Sequence, residues 1–139
     1  MSERAEPVWL TRTIVEALQA DQIREHGGQF GLRDPGLIES ALARPQHTWS
    51  YNPEADLALL AAEYGYGLAK NHAFIDGNKR IAFVAMNVFL LLNGYEIEAD
   101  EPLVVTTMLR VAAEGMSAQQ LAAWIRTVLY PFPSQALTL

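Results

Sequence analysis

His72-Ala73-Phe74-Ile75-Asp76-Gly77-Asn78-Lys79-Arg80 runs directly into Ile81-Ala82-Phe83-Val84-Ala85-Met86-Asn87-Val88-Phe89-Leu90-Leu91-Leu92. The first stretch places a histidine, a carboxylate, an amide and two cations within nine residues. In the second, only Asn87 is polar. The apolar stretch predicts the most buried helix of the chain, beginning near Gly77-Asn78 and closed by Asn93-Gly94. Polar functional groups crowding the mouth of such a helix mark a candidate site.

Upstream, Thr11 or Thr13 caps a helix to about His26, with Ile14, Leu18 and Ile23 on one stripe and Gly27-Gly28 as its stop. Asp34-Pro35 opens a second helix, a capping carboxylate followed by proline at the first helical position. Its apolar face is Leu37, Ile38, Ala41 and Leu42, and Arg44-Pro45 closes it. Gln46–Asn52 reads as a short aromatic loop or hairpin. Asn52-Pro53-Glu54 opens a third helix to about Asn71, in which Gly65 and Gly67 let another helix approach closely. Downstream, Tyr95–Glu98 is a brief extended connection, and Asp100 caps a fifth helix to Glu114-Gly115. Ser117 and Gln120 form a capping box for a sixth, reaching about Tyr130. Val8-Trp9-Leu10 is too short to assign. The expected fold is all-α, six helices around the helix at 78–93. It forms a single domain over residues 1–139, with 1–7 and 131–139 as loose tails.

Composition bounds the function. A chain of 139 residues, half of them hydrophobic, can bury roughly two-thirds of its unfolded surface and is not a disordered segment. It has no cysteine, which excludes disulfides and thiolate metal sites and suits the cytoplasm. The N-terminal residues lack the apolar core of a signal peptide, and the longest apolar run is too short for a membrane span. Ten basic and sixteen acidic residues give a net charge of −6. With no basic stripe, direct nucleic-acid binding is disfavoured.

The chemistry follows from the helix start. First-turn N–H groups and the dipole make an anion site, best suited to phosphate. Gly77 permits close backbone approach, Asn78 can donate its amide or cap the helix, and Lys79 and Arg80 add charge, Arg80 with a bidentate fork. Asp76 is an oxygen ligand placed to hold Mg²⁺ against those phosphates. His72 is the loop's candidate general base. Together these are the parts of a phosphoryl- or nucleotidyl-transfer site. Each part alone has an ordinary explanation as well: Asp76-Gly77 as turn chemistry, Asn78 as a cap, Lys79-Arg80 as a solvated pair. Phe74 and Ile75 read as plugs pinning the loop to the core.

The nine residues resemble the Fic/Doc signature, H-x-F-x-(D/E)-(G/A)-N-(G/K)-R, at every defined position. Gly31-Leu32-Arg33-Asp34-Pro35-Gly36-Leu37-Ile38-Glu39-Ser40-Ala41-Leu42-Ala43-Arg44-Pro45 is similar to the G-x-R-D-x-G-L-L-E-S-A-L-A-x-P segment of the death-on-curing branch, and Phe89–Tyr95 also fits it. The resemblance covers roughly residues 10–125. It implies a kinase that binds ATP in the reversed sense and transfers the γ-phosphate to a threonine of elongation factor Tu, stopping translation. His72 would activate the acceptor hydroxyl, Asp76 would hold Mg²⁺, and Gly77, Asn78, Lys79 and Arg80 would bind the phosphates, Arg80 stabilising transition-state charge. AMP-transferring members carry glycine where this chain has Lys79, and a long cation there crowds the phosphate nest. AMP transfer to a protein hydroxyl and a non-enzymatic antitoxin-binding module are the alternatives. The loop at 46–52 lies where the family has a flap for the target, so Trp49 and Tyr51 are candidates to present an edge to an incoming peptide. Arg33 and Asp34 read as a cap and ion pair, His26 and His47 as surface or cap residues. No self-inhibitory [S/T]-x-x-x-E-[G/N] segment is present, which implies a separate, cognate antitoxin as partner.

Overall fold

The structure, a computed structural model, describes residues 4–113 and 115–132. It is helical: α1 (Arg12–His26), α2 (Pro35–Tyr51), α3 (Leu57–Asn71), α4 (Asn78–Leu92), α5 (Glu101–Ala112) and α6 (Ala118–Val128). A small antiparallel ribbon joins β1 (Tyr95–Ile97) to β2 (Leu129–Pro131), with Glu96 opposite Tyr130. The all-α expectation holds. Local signals set most boundaries: Thr11 accepts from the Ile14 N–H at 3.2 Å, Asp34 from Gly36 at 2.9 Å, and Ser117 and Gln120 close a full capping box.

One core runs from Leu10 to Ile125. Its hub is α3 rather than the helix after the loop. Ten of the fifteen residues of α3 are buried, against six of fifteen in α4. The reason is residue size. Ala58, Ala61, Ala62, Gly65, Gly67 and Ala69 let neighbours close on several sides of α3, whereas Phe83, Val84 and Val88 keep one side of α4 half-exposed. A Cβ at Gly67 would stand 3.3 Å from the Ala41 Cβ of α2, and one at Gly65 would stand 2.7 Å from the Met86 Cγ of α4.

Three further sequence expectations give way. The loop or hairpin at 46–52 is helix: α2 continues through Pro45 to Tyr51. An interior proline costs about 3 kcal/mol. Here Pro45 and Thr48 are buried, and Trp49 packs edge-on against Trp9 with centroids 6.2 Å apart, so tertiary packing overrides the breaker. The third helix starts at Leu57, because Asp56 rather than Asn52 accepts from the first turn, from Leu59 N–H at 2.9 Å. The flanks of the domain are also tied down where described. Arg4 donates to the carbonyls of Trp49 and Asn52 and lies 4.5 Å over the Trp49 ring. Val8 exchanges hydrogen bonds with the Asn93 side chain, and Leu10 N–H meets the buried Tyr64 hydroxyl. Burial pushes that phenol up to about 12. Pro131 belongs to β2, and Phe132 N–H donates to Gly94. The rest of the expected C-terminal tail, residues 133–139, lies outside the described residues, as do 1–3.

Two consequences are measurable. Gly65→Ala forces Met86, fully buried, out of its place, and is expected to lower unfolding stability by about 1–3 kcal/mol in denaturant titration. A neutral result would contradict the close approach of α3 and α4. Arg126 forks onto Asp56 at 2.8 and 3.0 Å, and that hydrogen bond holds the carboxyl below its ordinary value. A depressed carboxylate stabilises above its unfolded pKa and loses that contribution as pH falls through the folded one. Arg126→Ala is therefore expected to cost up to about 1 kcal/mol near neutral pH, the pair being half-exposed, and almost nothing in strong acid. Equal costs at both would remove the pair from the account.

Candidate active site

The sequence from Asn71 to Arg80 joins the C-terminus of α3 to the first turn of α4, so the negative end of one helix dipole faces the positive end of another. The α1–α2 link, residues 27–34, runs antiparallel to this loop and is bonded along it. Arg80 Nη2 donates to the Gly27 carbonyl at 3.3 Å, and Gln29 N–H to Asp76 Oδ2 at 3.3 Å. Ile75 N–H donates to Gly31, and the N–H groups of Arg33 and Asp34 share the Ala73 carbonyl at 2.8 and 3.2 Å. Leu32 and Phe74 form an antiparallel bridge. The Arg33 guanidinium completes the series on the carbonyls of His72 (2.7 Å) and Asn71 (3.2 Å). Phe74 is the plug expected of it, 2% exposed, but Ile75 is 48% exposed and faces outward.

His72 is exposed at the C-cap of α3, with φ 52° and ψ 46°. Among the described residues it is the one non-glycine with positive φ. Asp76 is exposed; its Oδ1 accepts from Gly77 N–H at 2.9 Å while Gln19, a buried side chain of α1, reaches the Asp76 carbonyl at 3.4 Å. Each carboxylate oxygen accepts one hydrogen bond and keeps lone-pair capacity, so one exposed carboxylate acting together with substrate phosphates fits the way Mg²⁺ is usually held. Gly77 takes the N-cap of α4 in the left-handed region, φ 76°, and no side chain caps that helix. Its first-turn N–H groups are therefore available to an anion. Arg80 folds back over Gly77: a Cβ there would stand 3.4 Å from Arg80 Nη2. Lys79 is exposed at the same turn.

Asn78 is placed differently from a free phosphate donor. Its Oδ1 accepts from Phe74 N–H at 3.1 Å and its Nδ2 donates to the Phe74 carbonyl at 3.0 Å, so the amide ties the loop shut and keeps one N–H over. Of the two aromatic candidates, Tyr51 lines with Asn71 a cavity between α2 and α3, whereas Trp49 packs against Trp9. Asn71 Nδ2 meets the Leu37 carbonyl at the near end of α2, and Trp49 lies twelve residues further along, about 18 Å by helical rise. The extended segment beside the loop is 28–33 instead, with Phe30 65% exposed. The signal for it was three glycines in five residues, Gly27, Gly28 and Gly31, of which the first two read only as a helix stop. Gly28 has φ +112°, and a Cβ on it would stand 2.7 Å from Asp76 Oδ2.

Lys79 and Arg80 also line a cavity of about 510 Å³ between the end of α1, α4 and α5, together with Phe83, Val84, Met108 and His26. A larger cavity, about 600 Å³, surrounds the Arg44–Glu63 pair between α2 and α3, includes His47, and holds none of the loop's charged groups. No helix of the described residues is long and apolar enough to cross a membrane, and no group of three or more His, Cys, Asp or Glu among them forms a metal cluster.

A model of the Fic/DOC family matches residues 9–90, which takes in both the link and the loop. Toxin Doc of Mycolicibacterium smegmatis (strain ATCC 700084 / mc(2)155) is 46% identical over 76 residues, 53% of this chain and 58% of that protein. Protein kinase doc of Escherichia phage P1 is 32% identical over 110 residues, 79% of this chain and 86% of the phage protein. With the signature stretch held between two helix ends as described, this chain belongs to the Fic/DOC family, in its Doc branch.

Proposed function

We propose that this protein is a Doc-like toxin kinase that moves the γ-phosphate of ATP onto a serine or threonine hydroxyl of a translation factor, elongation factor Tu, and so arrests translation in the cytoplasm. The observation that carries this reading is the juxtaposition of an exposed histidine with an uncapped helix start carrying Lys79 and Arg80. In this scheme the His72 imidazole takes the hydroxyl proton as the oxygen attacks the γ-phosphorus. The bond from that phosphorus to the β–γ bridging oxygen breaks, ADP leaves, and the proton on His72 returns to solvent. The N–H groups at the start of α4, with Lys79 and Arg80, hold the phosphates. Arg80, anchored on Gly27, meets charge developing on the transferred group. Asp76 would hold Mg²⁺, which neutralises phosphate charge. Asn78 keeps the loop closed around these groups.

Lys79 favours γ-phosphate over AMP transfer, since its side chain occupies the turn in which a glycine would leave the nest open. The name of the phage relative, a protein kinase, points the same way. The open strand-like segment 28–33 suits an acceptor peptide added edge to edge, a role the sequence had assigned to Trp49 and Tyr51. A cognate antitoxin whose segment filled the cavity beside Lys79 and Arg80 would block the phosphate site.

Purified protein with γ-labelled ATP, Mg²⁺ and elongation factor Tu is expected to label the factor. His72→Ala should lower the rate by about 10²–10⁴-fold. No label from a folded parent protein would overturn the kinase reading, and label from α-labelled ATP would replace it with AMP transfer. Growth arrest on induction that survives His72→Ala would point to a non-enzymatic binding role. Lys79→Gly is expected to raise AMP transfer relative to phosphate transfer in the same assay; an unchanged ratio would mean that Lys79 does not select the reaction.

A further inference from the structure

We infer that Arg33 is a positioning residue for His72. The two dihedral angles that aim a side chain are set by the peptide planes on either side of its Cα. For His72 those planes carry the Asn71 and His72 carbonyl oxygens, and Arg33 holds both, through Nη2 at 3.2 Å and Nε at 2.7 Å. The next plane is held by the same segment, as the Arg33 and Asp34 N–H groups share the Ala73 carbonyl. His72 needs that support. Its left-handed backbone, φ 52° and ψ 46°, is unfavourable for a residue with a Cβ, and a released chain would relieve it by turning the imidazole elsewhere. The same oxygens end α3, where the helix dipole favours a cation, so the guanidinium has an electrostatic reason to stay. Arg33 makes no ion pair among the described residues, contrary to its sequence reading, and is exposed. Its work falls on the loop rather than the core. A lysine could reach one of the two oxygens but not fork across both.

The structural claim stands independently of the reaction; its kinetic arm rests on the phosphotransfer reading. The test begins in the apo protein, with imidazole NMR signals of His26, His47 and His72 assigned through His72→Ala. Arg33→Lys and Arg33→Ala are expected to move or broaden the His72 signal and leave those of His26 and His47 in place. An unmoved His72 signal in both variants overturns the inference. If Arg33→Ala disturbs all three signals, the fold has been damaged and Arg33→Lys decides. In turnover, Arg33→Ala should lower kcat by on the order of a hundredfold with KM for ATP within about twofold, the pattern of a misaimed base. Added guanidinium ion should recover part of the rate, and an effect confined to a raised KM would count against positioning. A moved His72 signal together with a parent protein that transfers no phosphate would leave Arg33 in its role and remove the kinase reading instead.

Discussion

The site depends on one constraint: residues 27–34 must lie alongside residues 71–80, backbone to backbone. A histidine at a helix end, an aspartate on a turn and an uncapped helix start are individually common. Held by hydrogen bonds to the carbonyls of Gly27 and Gly31 and from the N–H groups of Gln29, Arg33 and Asp34, they become a fixed constellation. The apposition sorts charge as well. Arg33 occupies the negative end of α3, and the positive end of α4 is left to an anion. Such close contact is possible because Gly28 has no Cβ to meet the Asp76 carboxylate.

The helical scaffold serves that apposition. Small residues along α3 bring α2 and α4 to its flanks, and each carries one side of the site: α2 follows directly from the link, α4 from the loop. Asn71, through Leu37, ties the ends of α2 and α3 together beside His72. A shift of either helix along α3 would therefore slide the link past the loop. Buried Gln19 extends the support beneath the Asp76–Gly77 turn from α1.

Much of this was legible in the sequence because it is written in local chemistry. Caps at Thr11, Asp34 and Ser117 mark helix starts through hydrogen bonds a few residues away, and the signature at 72–80 marks the candidate site. What escaped is non-local. Pro45 reads as a breaker because its cost is intrinsic, while the burial of Pro45 and Thr48 and the contact of Trp49 with Trp9, forty residues before it, depend on the rest of the chain. The same distance hid the true neighbour of the loop. The aromatic character of Trp49 and Tyr51 drew attention to 46–52, yet Trp49 uses its ring to cover the core, and the segment that meets the loop is marked only by glycines. Asn78 shows the limit from the other side: the signature names it, but only the fold reveals that both ends of its amide are tied to Phe74.

The far end of α4 carries a different consequence. Val8 is bonded to Asn93 and Phe132 to Gly94, so residues 8 and 132 meet at one shared corner. That corner is about 22 Å of helix from Asn78. A linker joining residues 8 and 132 would need to span little space, which makes the fold a natural subject for circular permutation. A fluorophore or an affinity handle placed in such a linker would stand at that corner, at the other end of α4 from the loop that carries His72. The geometry thus separates where the molecule can be extended from where it must be kept intact.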